Sequence, residues 1–167
     1  MKRLYITLAA CLLMAFLIPF APVMALRPVC GGISATSHCL YMFAHASLLH
    51  WLVNTWSFLV LHNVLRWYRL IAAYLLAVAI SFVPATVPAG SPAGVIGASV
   101  ITTFFFGFIA PYYWHRNKSI PLMMAALIII GCFLPNIAAA YHAVPFVGGL
   151  AYWYIERTLR SIRAYLN

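Results

Sequence analysis

Apolar residues run in six stretches along the chain, at about 4–24, 39–61, 68–84, 94–114, 120–134 and 141–155. Several reach the ~20 residues a helix needs to cross hydrocarbon; the third, fifth and sixth are shorter. The connections are short. Those at 61–69 and 115–121 carry aromatic and basic residues. The one at 83–94 is rich in Pro and Gly and uncharged, and those at 26–38 and 134–141 are similarly poor in charge. No internal repeat and no low-complexity tail is evident. The pattern predicts an all-α integral membrane protein, a bundle of six transmembrane helices forming one domain over residues 1–167.

Composition sharpens this expectation. The chain is 66% hydrophobic, and Glu156 is its single acidic residue against ten Lys and Arg. A net charge of +9 raises the question of nucleic acid, but the distribution of the charges answers it differently. Lys2, Arg3, Arg66, Arg69, Arg116, Lys118, Arg157, Arg160 and Arg163 flank alternate ends of the stretches, and only Arg27 falls on the other side. That is the positive-inside pattern of a multi-pass protein with both termini cytoplasmic. The short chain suits a bacterial inner membrane. The implied partners are the lipid bilayer and its headgroups rather than nucleic acid; the oligomeric state is left open. The first 25 residues also resemble a signal peptide ending in Val-Met-Ala, but the long apolar core favours an uncleaved first helix. Cys11 and Cys132 fall inside apolar stretches and read as packing residues. Cys30 and Cys39 lie in or beside the first loop, where spacing alone leaves their pairing open.

Polar residues inside the apolar stretches are the candidates for chemistry, because such groups are costly there. "HASLLHWLVN" places His45, His50 and Asn54 in the second stretch. His50 and Asn54 are ~40° apart on a helix and share a face; His45 lies ~140° from His50, so it has another task or sits where the helix begins irregularly. Ser99 begins the fourth stretch among small residues, Gly94, Gly97 and Ala98, and His142 begins the sixth. Three stretches thus put polar groups at one level. A serine hydroxyl needs a base to become a nucleophile, and His142 can serve Ser99. With no aspartate in the chain and Glu156 at the far end of the last stretch, a Ser-His-Asp triad and an aspartyl dyad are excluded. No HExxH occurs either, which excludes a zincin helix. A hydrolase built here is a Ser-His dyad enzyme, requiring no cofactor. The Asn54 amide, a His50 ring N–H and the Ser99 amide are available as oxyanion donors.

At this point the chain resembles the rhomboid family of intramembrane serine proteases. "FAHASLLHWLVN" is similar to that family's helix 2 signature, "GASVITTFFFG" to its serine stretch, and "HAVPFVGGLA" to its helix 6 histidine and small-residue ladder. The resemblance covers nearly the whole chain, in order. It implies Ser99 as nucleophile, His142 as general base, and His50, Asn54 and the Ser99 amide as the oxyanion site. It implies Gly97 as the point of close backbone approach and His45 as a supporting residue of helix 2. The implied substrates are transmembrane proteins, cut near the outer face. Four features depart from the family pattern, one being that the glycine usual after helix 2 is missing. Val100 follows the serine where glycine is usual, Pro145 interrupts the helix 6 ladder, and the first loop lacks the Trp-Arg pair.

Two other readings compete. The first is a pseudoprotease that binds membrane clients without cutting them. The second is a haem- or metal-binding protein ligated by His45, His50 and His142.

Overall fold

The structure, a computed structural model, describes residues 2–20, 35–45, 47–83, 97–132 and 140–166. Seven α-helices follow in order: α1 (Lys2–Phe16), α2 (Ala35–Leu40), α3 (Leu48–Leu61), α4 (Trp67–Ser81), α5 (Ser99–Trp114), α6 (Ser119–Cys132) and α7 (Ala140–Leu166). Single 3-10 turns lie at Ile18–Phe20 and Tyr41–Phe43. Arg27, Cys30 and Gly94 fall outside the described residues, so the Cys30–Cys39 pairing and the cleavage site lie outside them too.

The all-helical expectation holds, but the six-transmembrane rhomboid-like bundle does not. Among the described residues no helix is long and apolar enough to cross a membrane. The membrane and rhomboid descriptions, and the multi-pass inner-membrane location with cytoplasmic termini, are corrected with it. The reasons are local. The stretch 39–61 is not one helix. Ala44 is extended at φ −86°, ψ 156°, and Ser47 starts a new helix by accepting the His50 N–H on its hydroxyl at 3.2 Å. Such a serine satisfies one of the orphan amides at a helix start. In the first stretch α1 stops at Phe16, and a 3-10 turn, Ile18–Phe20, carries Pro19, whose missing N–H cannot continue the α-helical ladder. The 16 residues of α5 span only ~24 Å at ~1.5 Å per residue, against ~30 Å of hydrocarbon. α7 is longer at 27 residues, but Glu156, Arg157, Arg160 and Arg163 occupy its second half.

α5 is the central element. Val100 to Phe105, then Gly107, Phe108, Ala110 and Pro111, are buried on every side of it. Its most extensive partner is α7. Two glycines let the two backbones meet. A Cβ on Gly149 would lie 1.8 Å from the Phe104 carbonyl oxygen, and one on Gly107 would lie 1.9 Å from that of Phe146. Around this pair the other helices are pinned by specific polar contacts. The Trp51 indole donates to the Cys11 carbonyl at 2.8 Å and ties α3 to α1. His38 bonds Ser81 at 2.8 Å and stacks on Phe82, joining α2 to α4. Arg69 of α4 grips Glu156 of α7 through two bonds, at 2.9 and 2.7 Å, and donates a third to the Val64 carbonyl. Cys11 is buried, as a packing residue would be, and Cys39 is exposed. Many large apolar side chains nevertheless face outward, among them Leu49, Trp56, Trp67 and Val147.

Candidate functional site

The first turn of α5 is the place where the candidate residues meet. Gly97 precedes it with φ +115°, a conformation that L side chains rarely adopt. Its N–H donates to the Tyr41 carbonyl at 2.9 Å. The His50 ring lies directly on it: a Cβ at Gly97 would fall 2.4 Å from Cε1 and 2.6 Å from Nε2 of that ring. The absence of a side chain at Gly97 therefore brings an imidazole of α3 against the start of α5. Tyr41 organises the same region. Fully buried, it donates its hydroxyl to the Ala77 carbonyl at 2.9 Å and packs edge-on against Tyr141, the neighbour of His142.

Ser99 is the first residue of α5 and is half-buried. The amides of Ile101 and Thr102 already bond the Ala98 carbonyl, both at 3.0 Å. The Ser99 and Val100 amides come before that first bond, and so belong to the unpaired, partly positive end of the helix dipole. That is where developing negative charge is stabilised.

The hydrogen bond that the structure gives His142 runs to Thr103 rather than to Ser99. Nδ1 of His142 lies 3.3 Å from Thr103 Oγ1, and Thr103 Oγ1 donates to the Ser99 carbonyl. A carbonyl can only accept, so the single hydroxyl proton of Thr103 is committed to it. The Thr103 oxygen can then only accept from the ring. This assigns the proton of neutral His142 to Nδ1 and leaves the lone pair on Nε2, the form a general base needs. Burial first, and the nearby His50 second, hold the His142 pKa below its ordinary 6.5. Burial lowers that of His50 as well. Both rings are consequently neutral at pH 7.

Thr103 was not among the residues singled out from the sequence. Its signal was present, four residues after Ser99 and so on the same helical face. Thr103→Val keeps the volume but deletes both bonds. If His142 serves Ser99 as a base, the expected result is a fall of about 10²-fold in turnover from the misplaced ring, with little change in substrate affinity. Thr103→Ser should restore the rate, and steady-state kinetics on the three proteins checks this.

The remaining candidates sit one layer back. Asn54 is buried, but its amide nitrogen donates to the His50 carbonyl of its own helix at 2.9 Å. One of its two N–H donors is thereby committed to α3. His45 lies in the break before α3 and is completely enclosed. Its ring is edge-on to His50 at 5.1 Å, and neither ring nitrogen has a hydrogen-bond partner among the described residues. Burial, then the His50 charge, lowers its pKa to about 4, and the nearby Phe43 backbone offsets this only in part. Among the described residues no three His, Cys, Asp or Glu side chains form a group that could hold a metal ion. The haem or metal reading therefore finds no support in the three histidines.

His45 has a consequence for stability. Its folded pKa lies below the 6.5 of the unfolded chain, so the unfolded state takes up the proton first as pH falls. Its contribution is complete above pH 6.5 and is lost down to about pH 4, an effect of roughly 3 kcal/mol. Urea unfolding at several pH values should show this slope, and His45→Met should make it shallower, leaving the part due to His50 and His142.

In comparisons with known proteins, no family model matches the chain, and no curated protein and no solved structure is detectably similar to it.

Proposed function

We propose that the chain is a serine endopeptidase with Ser99 as nucleophile, His142 as general base and Thr103 as the residue that positions the base. The observation that carries this reading is the bond from His142 Nδ1 to Thr103, which itself bonds the Ser99 carbonyl. An uncharged hydroxyl here takes the orienting part that a carboxylate plays in a triad. His142 Nε2 accepts the Ser99 Oγ proton as that oxygen attacks the peptide carbonyl. The oxyanion forms against the Ser99 and Val100 amides, with a His50 ring N–H as a further donor. His142 then passes its proton to the departing amine, and a water molecule hydrolyses the acyl-enzyme with the same base.

The substrate class supplied by the sequence resemblance is an apolar segment of a transmembrane protein. The exposed apolar side chains on both flanking helices suit it: Leu49 and Val53 on α3, Val144 and Val147 on α7. Cleavage of an internally quenched apolar peptide is the test. Turnover that requires Ser99 supports the proposal; turnover unaffected by Ser99→Ala sinks it.

A second reading has specific support. Val100 is almost completely buried beside the serine, and Asn54 turns its amide into its own helix. Both favour a protein that binds apolar clients without cutting them. Client binding with no turnover, unchanged in Ser99→Ala, would select it.

A further inference from the structure

A cavity lies at the opposite ends of α5 and α7 from Ser99 and His142. It measures about 890 Å³ and is walled by the α3–α4 turn, the end of α5 and the second half of α7. Tyr113 on its wall is 14 residues beyond Ser99 along one helix, or ~20 Å at ~1.5 Å per residue. The volume falls within the roughly 300–1,000 Å³ of small-molecule sites.

The charge of this cavity is its unusual feature. Arg66, Arg69, Arg157 and Arg160 line it together with one carboxylate, Glu156. That carboxylate is already committed, bonded twice by Arg69 and paired again with Arg160. Its pKa is held low by Arg69 above all, so it stays ionised. Arg69 is itself fixed, with its guanidinium 4.1 Å from the Phe108 ring centre. Arg157 is held over the Trp153 ring at 5.1 Å; both it and Arg66 are exposed, and among the described residues neither is ion-paired with Glu156. Glu156 is the only acidic residue in the whole chain, so no internal group can neutralise the two. An anionic ligand can supply the counter-charge.

We infer that this cavity binds a phosphate group, gripped by Arg66 and Arg157, with Arg69 and Glu156 as the rigid floor. A cleft lined by one sign of charge concentrates the opposite sign within it. Guanidinium forks match phosphate oxygens in pairs, and phosphate has enough oxygens to engage more than one fork. A carboxylate offers only two oxygens, and Glu156 already spends its own on Arg69 and Arg160. The tyrosine and tryptophan walls leave room for whatever the phosphate is attached to. The phosphate belongs either to a small soluble molecule or to a lipid headgroup.

The test uses the full chain and two probes. One is inorganic pyrophosphate, followed by calorimetry. The other is co-sedimentation with phosphatidylcholine vesicles, with and without phosphatidylglycerol. Wild type is compared with Arg66→Gln/Arg157→Gln and with Lys118→Gln/Arg163→Gln, which removes the same charge outside the cavity. All four residues are exposed, so both variants should fold. The expected result is at least a ten-fold weaker Kd in the first variant and an unchanged Kd in the second. If pyrophosphate alone obeys this pattern, the ligand is a soluble phosphate; if the anionic vesicles alone obey it, a headgroup. Equal weakening in both variants, or no binding of either probe by wild type, would overturn the inference. None of these outcomes depends on Ser99, so the site stands or falls apart from the proposed peptidase activity.

Discussion

Ser99→Ala and His142→Ala should each lower peptide cleavage by about 10⁴-fold or more, because nucleophile and base act as one unit. Combining them should cost little beyond either alone. The reason lies in the division of labour at the start of α5. The helix end can still stabilise an oxyanion without Ser99 Oγ, but nothing nearby can replace the nucleophile. Without His142, the neighbouring base is His50, whose ring is packed on Gly97. In the proposed scheme it donates to the oxyanion and does not take the serine proton. Helix content should be unchanged in both variants, so circular dichroism separates loss of chemistry from loss of fold. An equal and partial loss of helix would assign the effect to folding instead.

Gly149→Ala should be the most damaging single change to the fold. Alanine is the better helix former by about 1 kcal/mol, so propensity alone predicts stabilisation. Geometry decides otherwise. The new methyl would sit 1.8 Å from the Phe104 carbonyl oxygen and 2.9 Å from the Phe108 nitrogen. Both are backbone atoms of the central helix, and neither can move without shifting α5. Forced overpacking of this kind costs about 3 kcal/mol or more. For a chain of this length that lowers Tm by roughly 6–12 °C. Gly148→Ala is the control. Its methyl would meet only the tip of the Leu76 side chain, at 2.4 Å, which can rotate away. Thermal unfolding followed by circular dichroism should show a large drop for Gly149→Ala and a small one for Gly148→Ala.

The helices were legible in the sequence where polar turns bound an apolar run. α4 and α6 fall within a few residues of the stretches at 68–84 and 120–134, because "HNVLRWYR" and "HRNKS" interrupt the pattern. Hydropathy was misleading where the chain stays apolar but stops being helical. Between Phe43 and Leu48 only His45 and Ser47 mark the break, and a histidine out of register or a serine inside an apolar run reads equally well as part of a continuous helix. The opposite error occurs in α7, which continues to Leu166 although its apolar half ends at Ile155. Apolar content measures burial, whereas helix continuity depends on backbone bonds and on pairs such as Glu156 with Arg160, one turn apart. Both errors bear on the membrane expectation, which counted apolar residues rather than continuous helix.

The site was legible in part. His50 and Gly97 do meet, and His142 does approach the first turn of α5. Asn54 faces its own helix, since an amide four residues after a carbonyl bonds it readily, and no sequence pattern reports that choice. Thr103 was missed because a threonine beside phenylalanines reads as filler. Its role depends on α7 lying close enough for His142 to reach it, a closeness that Gly107 and Gly149 allow.

The most direct measurement is labelling of the purified chain with a fluorophosphonate probe, followed by mass spectrometry of the adduct. The account predicts one adduct, on Ser99, lost in Ser99→Ala and in His142→Ala and weakened in Thr103→Val. A folded protein that takes no label, or carries it on another serine, would contradict it.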